Sequence, residues 1–295
     1  MSKKVLVLMS TYNGHQYLKA QLDSIIRQKD IDVSVLIRDD GSQDDTIDIL
    51  QDYSKRYPNI QYLSQDNLGA ADSFMWLLFN CPLDFDYYAF SDQDDIWKSE
   101  KLAVAVDKLS TYTMALYHGY AERVDSKLQS LGDSEIKIIR NYKTALFSSA
   151  VGCTMVITKP LLIKLREYYP EFISMHDAWI YRVAYYTNSK VIYDSDSYIY
   201  YRQHGTNVTG GELSAAKKIK RQMVINKNVR LKTAKELYKG YGKQITSEKK
   251  EYLEKFIYYK DSIVNRLKFA FSNSWHFGIV KTDIQYIGLF LLGAV

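Results

Sequence analysis

The chain has 295 residues, 46% of them hydrophobic and 25% charged, with a formal net charge of +5. That length buries a sizeable core and suits one large α/β domain with an appendage, while the small charge excess gives no reason to expect a nucleic-acid partner. Two cysteines, Cys81 and Cys153, supply neither a disulfide framework nor metal-ligand spacing, so both read as small core residues in a reducing compartment.

The apolar run Val5 to Met9 after Lys3-Lys4 is too short for a secretory leader and reads as a first strand. A polar loop, Ser10-Thr11-Tyr12-Asn13-Gly14, leads into a segment carrying Leu18, Leu22, Ile25 and Ile26 at helical spacing. The unit then repeats: strand Val33 to Arg38, loop Asp39-Asp40-Gly41-Ser42, helix Asp45 to Arg56. Apolar strands alternating with amphipathic helices predict a parallel sheet buried on both faces, and such sheets bind ligands beyond the carboxyl ends of their strands. The run Tyr87-Tyr88-Ala89-Phe90 ends another strand at Ser91-Asp92-Gln93-Asp94-Asp95-Ile96-Trp97, with a helix expected from Lys98 onward. Three carboxylates within four residues repel one another unless a divalent cation or hydrogen-bond donors offset them. An acidic turn capping the next helix is the competing reading, above all for Asp95.

Further along, Tyr112 to Tyr120 and Val151 to Thr158 read as strands, with a helix from Leu161 to Tyr168 behind Pro160. After Thr209-Gly210-Gly211 the composition turns basic, and residues 213–235 contain no acid. A later helix is expected to carry Tyr252, Phe256, Tyr259, Ile263 and Leu267 as one apolar stripe. The apolar end, Ile284 to Val295, falls well short of the roughly 20 residues that span a bilayer, so attachment to one membrane face is the most it supports. We therefore divide the chain at residue 212, with 1–105 as a nucleotide half, 106–212 as an acceptor half and 213–295 as a basic helical region. No Gly-x-Gly-x-x-Gly follows the first strand, which disfavours a dinucleotide oxidoreductase.

The succession Ser-Thr-Tyr-Asn, Asp-Asp-Gly-Ser-x-Asp-x-Thr (Asp39 to Thr46), Asn67-Leu68-Gly69 and Asp-x-Asp-Asp (Asp92 to Asp95) resembles the family-two inverting glycosyltransferases of GT-A fold. Gly152-Cys153-Thr154-Met155 is similar to the family's acceptor-side glycine segment, and His176-Asp177-Ala178-Trp179 to its Glu-Asp or His-Asp base motif. Ser91 to Trp97, together with Tyr201-Arg202-Gln203-His204-Gly205-Thr206-Asn207, is similar to the bacterial rhamnosyltransferase branch. The likeness spans about residues 4–210.

The resemblance implies an α/β GT-A domain with a mostly parallel, Rossmann-like sheet and a C-terminal helical extension. It implies a nucleotide-sugar site at Thr11, Asn13, Asp39, Asp40, Asn67, Asp92 and Arg202, with Asp40 favoured over Asp39 to read the base. Asp94 and His204 would hold Mg²⁺ or Mn²⁺, and Asp177 would be the general base. His176 stands where many relatives carry Glu and could serve the acceptor, the phosphate or the fold; Trp179 could stack on a sugar or be buried. The implied reaction moves rhamnose from dTDP-rhamnose to a lipid-linked bacterial polysaccharide acceptor. The implied location is peripheral, on an anionic membrane surface at the cytoplasmic face, with a homo-oligomer left open. A UDP-hexose enzyme of the same fold and a non-catalytic membrane- or polyanion-binding relic are the alternatives.

Overall fold

The computed structural model describes residues 2–132, 138–204, 228–272 and 275–295. The Thr209-Gly210-Gly211 loop, the 205–207 part of the Arg202 motif and the basic run from Lys217 to Lys227 lie outside them.

The first half is a repeated strand–helix unit: β1 (Lys4–Thr11), α1 (His15–Ile26), β2 (Asp32–Asp39), α2 (Thr46–Arg56), β3 (Ile60–Ser64), α3 (Ala70–Asn80) and β4 (Tyr87–Ser91). Strands β3, β2, β1 and β4 pair in parallel. Alternate side chains of a strand point to opposite faces, and here both faces are apolar. Val5, Val7 and Met9 pack with Leu18, Leu22 and Leu50 on one side, whereas Leu6 and Leu8 join Phe74, Leu78 and Phe90 on the other. The expected buried parallel sheet is therefore present.

The second half extends the sheet with β5 (Ile96–Trp97), β6 (Ala115–Val124), β7 (Val156–Thr158) and β8 (Lys190–Arg202), interleaved with α4 (Lys101–Leu109), α5 (Lys159–Leu165) and α6 (His176–Tyr186). The strand order is β3-β2-β1-β4-β7-β6-β8-β5, with β7 antiparallel to both neighbours and β6 parallel to β8. Three boundaries differ from expectation. Ile96–Trp97 is a short strand antiparallel to Tyr200–Ile199 instead of the start of a helix, so Asp95 caps no helix there, and α4 begins only at Lys101. Residues 151–155 form a 3₁₀ turn at Gly152–Thr154 ahead of a strand of three residues. The strand expected at Tyr112 starts at Ala115.

The C-terminal region contributes α7 (Val229–Tyr241), α8 (Ser247–Ile257), α9 (Ile263–Ala270) and α10 (Val280–Leu291). Their apolar faces join the core of the α6 side: Leu237, Tyr241, Phe256, Phe269 and Phe290 belong to the same cluster as Trp179 and Phe74. The single stripe expected from Tyr252 to Leu267 is broken. A 3₁₀ turn at Tyr259–Asp261 ends α8, Ser262 caps α9 by accepting from the Asn265 N–H (3.0 Å), and the rotation leaves Ile263 and Leu267 exposed while Tyr252, Phe256 and Tyr259 are buried. Among the described residues no helix is long and apolar enough to cross a membrane.

Candidate active site

The carboxyl ends of β1, β2 and β4 bring Thr11, Asp39–Asp40 and Ser91–Asp95 to one edge of the sheet. Two buried carboxylates organise its first part. Asp39 accepts from Thr11 Oγ1 (3.0 Å), Ser42 Oγ (2.5 Å), Ser64 Oγ (3.2 Å) and the backbone N–H groups of Gly41 and Ser42 (3.2 and 3.0 Å), so it ties three loops together. Asp40 is ion-paired with Arg38, and its two oxygens also accept from the N–H groups of Leu68 and Gly69, both at 2.8 Å. Arg38 in turn donates to the Asp66 carbonyl (2.8 Å) and Ser73 Oγ (3.2 Å). Its guanidinium thus holds Asp40 against the 66–69 turn.

Asn13 and Asn67 brace the same loops. The Asn13 side-chain oxygen accepts from the Gln43 N–H (2.8 Å), and that of exposed Asn67 accepts from the Gly69 N–H (3.1 Å). Gln93, the residue between the two aspartates of the motif, makes a two-point bridge to Tyr12: Oε1 accepts from its N–H (2.8 Å) and Nε2 donates to its carbonyl (2.9 Å). A Cβ on Gly14 would collide with that amide, which gives this glycine a packing reason.

The acidic cluster is next. Burial, and then the neighbouring charges of Asp94 and Asp177, push the Asp92 carboxyl up to about 7. Asp95 is raised well above the carboxylate range by burial and by Asp92 and Asp94; its Oδ1 accepts from the Arg202 N–H (3.1 Å), and its buried Oδ2 has no partner. Asp94 faces outward, with Oδ2 2.8 Å from His204 Nε2. Tyr17 of α1 supports this corner from below: its ring lies 5.0 Å from that of His204 and 4.5 Å from the Arg202 guanidinium carbon. Arg202 donates from Nε to the Asp94 carbonyl (2.8 Å) and from Nη1 to the Ser126 carbonyl (2.6 Å), so it clamps the acidic loop to β8.

On the far side, α6 opens with His176 and Asp177. Burial raises the Asp177 carboxyl, while the Ala178 N–H (2.5 Å), the Arg182 charge and the Gly152 N–H oppose that rise. A Cβ on Gly152 would lie 3.0 Å from His176 Nε2 and 3.3 Å from the Asp177 Cβ, so the glycine lets the 3₁₀ turn approach the helix start. His176 stacks on Phe74 at 3.9 Å, and burial lowers its basicity to about 3. It is a buried ring packed in the core. Trp179 is likewise buried.

Two acidic groupings offer themselves to a cation. Asp92, Asp95 and Cys153 place ligand atoms within 4.8 Å of one another. The Cys153 thiol is pushed well above its ordinary value by burial and by Asp95 and Asp92, so it is a protonated, soft group that suits Mg²⁺ or Mn²⁺ poorly. Asp94 with His204 offers an oxygen and a nitrogen 2.8 Å apart, each side chain 14% exposed, and suits a hard cation better; burial and the Asp94 and Asp177 charges raise the neighbouring Asp92 carboxyl, and a cation would oppose that rise.

Sequence reasoning missed Arg38, Tyr17, Gln93 and Lys101. Lys101 is buried with its Nζ 3.5 Å above the Trp97 ring, and burial pulls its basicity down to about 7, with the neighbouring Cys153 and Asp95 groups working the other way. An arginine inside an otherwise apolar strand was the available signal for Arg38. For Lys101 the surrounding sequence gave none.

The sheet, its helices and the carboxylate edge define a GT-A glycosyltransferase, the fold shared with TarS of S. aureus in complex with UDP (TM-score 0.61, 17% identity, 98% of this chain and 80% of that one). The mannosyltransferase PcManGT of Pyrobaculum calidifontis, in complex with GDP-Man and Mn²⁺, superposes with a TM-score of 0.55 at 14% identity, over 98% of this chain and 85% of that one. Residues 6–187 match the model of glycosyl transferase family 2, and the chain belongs to that family. Among curated relatives, the dTDP-rhamnosyl transferase RfbG of Shigella flexneri is 33% identical over 231 residues, 72% of this chain and 77% of that protein. An uncharacterised glycosyltransferase of Rickettsia prowazekii is 24% identical over 98% of this chain and 88% of its own length.

Proposed function

We propose that this glycosyltransferase moves rhamnose, with inversion, from dTDP-rhamnose to a hydroxyl of a lipid-linked polysaccharide acceptor at the cytoplasmic face of the membrane. The observation that carries the chemistry is the Asp94–His204 pair at the sheet edge, next to Asp92, whose carboxyl is raised by burial and by the charges of Asp94 and Asp177. The likeness to RfbG supports the donor.

In this reading the acceptor hydroxyl attacks the anomeric carbon on the face opposite the diphosphate. The new C–O bond forms as the bond to the diphosphate oxygen breaks with its electron pair, and Asp177 takes the hydroxyl proton. Its raised proton affinity makes it a better base than a solvated aspartate, and the Ala178 N–H keeps the carboxylate oriented. Asp94 and His204 would hold Mg²⁺ or Mn²⁺, which when bound offsets the negative charge of the departing diphosphate. Arg202 keeps the Asp94 backbone in place for that purpose. Thr11, Asp39 and Asp40 shape the base pocket through the loops they tie. Thymine and uracil present the same N3–H, so preference for the rhamnosyl donor must come from the sugar.

Thermal unfolding with Mn²⁺ and a panel of dTDP-, UDP- and GDP-sugars tests the donor. A ligand at a hundred times its Kd stabilises by about 2.7 kcal/mol, and dTDP-rhamnose should give the largest shift. A larger shift and faster turnover with a UDP-hexose would move the assignment to that donor, and no shift with any sugar nucleotide would leave the non-catalytic reading. Asp177→Asn should cut transfer by roughly 10²-fold or more with donor affinity unchanged. Loss of donor binding together with turnover would make Asp177 a binding residue.

A further inference from the structure

Eight of the nineteen large hydrophobic side chains exposed among the described residues fall within residues 263–292. On α9 these are Ile263, Val264, Leu267 and Phe271, spaced i, i+1, i+4 and i+8, so they share one face. On α10 and its end they are Val280, Ile284, Leu291 and Leu292, also on one side of the helix. Both helices bury their opposite faces in the same aromatic cluster: Phe269 of α9 lies 4.9 Å from Phe290 of α10, and Tyr286 packs on Trp275. Tyr259 Oη donates to the Val295 carbonyl (3.1 Å), and the Arg266 guanidinium lies close to Gly293, so the start of α9 is beside the end of α10. The two helices pack against each other, and these apolar side chains stay exposed. Ordinary solvated helices place charges there.

We infer that the outer face of α9 and α10 is a shallow bilayer-insertion surface whose partner is an anionic lipid leaflet. Charge complementarity selects that partner. From residue 262 to 295 the cations are Arg266, Lys268 and Lys281 against a single acid, Asp283. That acid is turned inward, accepting from the Phe277 N–H at 2.8 Å, so the face presents apolar side chains flanked by lysine. Amphipathic helices of this kind lie in the plane of the membrane interface, apolar side among the acyl chains and cations at the headgroups.

This inference deepens the reading of a lipid-linked acceptor, and its test is separate from the donor assay. Full-length protein is sedimented with vesicles of phosphatidylcholine containing phosphatidylglycerol, at low and at high salt, alongside the variant Leu267→Gln/Phe271→Ser/Ile284→Gln. All three residues are exposed, so the variant should keep its unfolding temperature and its transfer to a water-soluble acceptor. Its vesicle partition should fall by about tenfold or more at both salt concentrations, because loss of apolar burial is insensitive to screening. Wild-type partition that survives high salt supports the insertion face. Equal partition of variant and wild type would overturn it and assign any binding to the basic run alone. A wild-type dimer that the triple variant converts to monomer, without vesicle binding, would overturn it in favour of a second copy of the chain. Failure to use dTDP-rhamnose would change the donor and leave the vesicle result standing.

Discussion

Asp40→Asn separates two roles that the structure lays on one side chain. The Arg38 and Asp40 side chains are only 1% and 3% exposed, so the ion pair is a buried one. Removing one partner of a buried pair typically costs about 3–5 kcal/mol, since the other charge stays in a poor solvent. Here Arg38 keeps the Asp66 carbonyl and Ser73 Oγ, which puts the cost near the low end, about 3 kcal/mol. The asparagine also loses one of the two acceptor oxygens that hold the Leu68 and Gly69 N–H groups, worth roughly 1 kcal/mol more. Urea unfolding at constant m value reads the sum directly as a shift in midpoint. Arg38→Met should cost a comparable amount, and the double variant should cost less than the two singles together, because the stranded charge is gone. A loss below about 1 kcal/mol for Asp40→Asn, or strict additivity in the cycle, would refute the brace and leave Asp40 as a ligand group alone. Donor titration of the same variants, at denaturant-free conditions, then shows how far the 66–69 turn depends on the pair.

Gly152→Ala should lower turnover while leaving donor affinity near wild type, since the added Cβ presses on His176 and Asp177 and displaces the base from the acceptor; unchanged turnover would show that the turn yields without moving Asp177. The cation site carries a pH dependence with a definite sign. Asp92 is raised from 3.8 to about 7, so the folded protein binds more protons than the unfolded chain between those values, and the cation-free protein should lose stability as pH rises through that window. Mn²⁺ must displace that proton: its affinity should weaken by about fivefold between pH 7 and pH 6, and added Mn²⁺ should offset the loss of stability at pH 8; calorimetric titration at the three pH values checks both.

The first half of the fold was legible because both signals were strong. Val5 to Met9 and Tyr87 to Phe90 are apolar on both faces, which only a covered parallel sheet accommodates, and the helices between them carry clean stripes. The second half depends on pairings that no local pattern announces. Ile96–Trp97 becomes a strand only because Tyr200 and Ile199 arrive beside it from a hundred residues away, and the same arrival places Arg202 on Asp95 and Asp94. In the C-terminal region the periodic spacing of Tyr252, Phe256, Tyr259, Ile263 and Leu267 was real, but Ser262 restarts the helix and turns the last two residues outward.

The site shows a sharper limit. Asp39, Asp40, Asp92, Asp94 and Asp95 lie at one sheet edge and Asp177 at the start of α6, but which of them can meet a ligand follows from partners the sequence does not display. Asp39 accepts five hydrogen bonds and ties the loops together. Asp40 is fixed by an arginine two residues away that points into the protein. Asp95 lies behind Asp94, against the Arg202 backbone. Asp94 and Asp177 differ from these: Asp94 is paired with a histidine that a cation can share, and Asp177 is held at a helix start, where the Ala178 N–H orients its carboxylate against a rise in proton affinity caused by burial. Chemically identical aspartates thus divide by their partners: Asp39, Asp40 and Asp95 are tied into the surrounding loops, whereas Asp92 and Asp94 crowd one another at the sheet edge and Asp177 stands at the start of α6. Replacing Arg38, His204 or Gly152 tests the division more sharply than replacing the aspartates themselves, because each changes what faces one carboxylate, Asp40, Asp94 or Asp177, and leaves that carboxylate present.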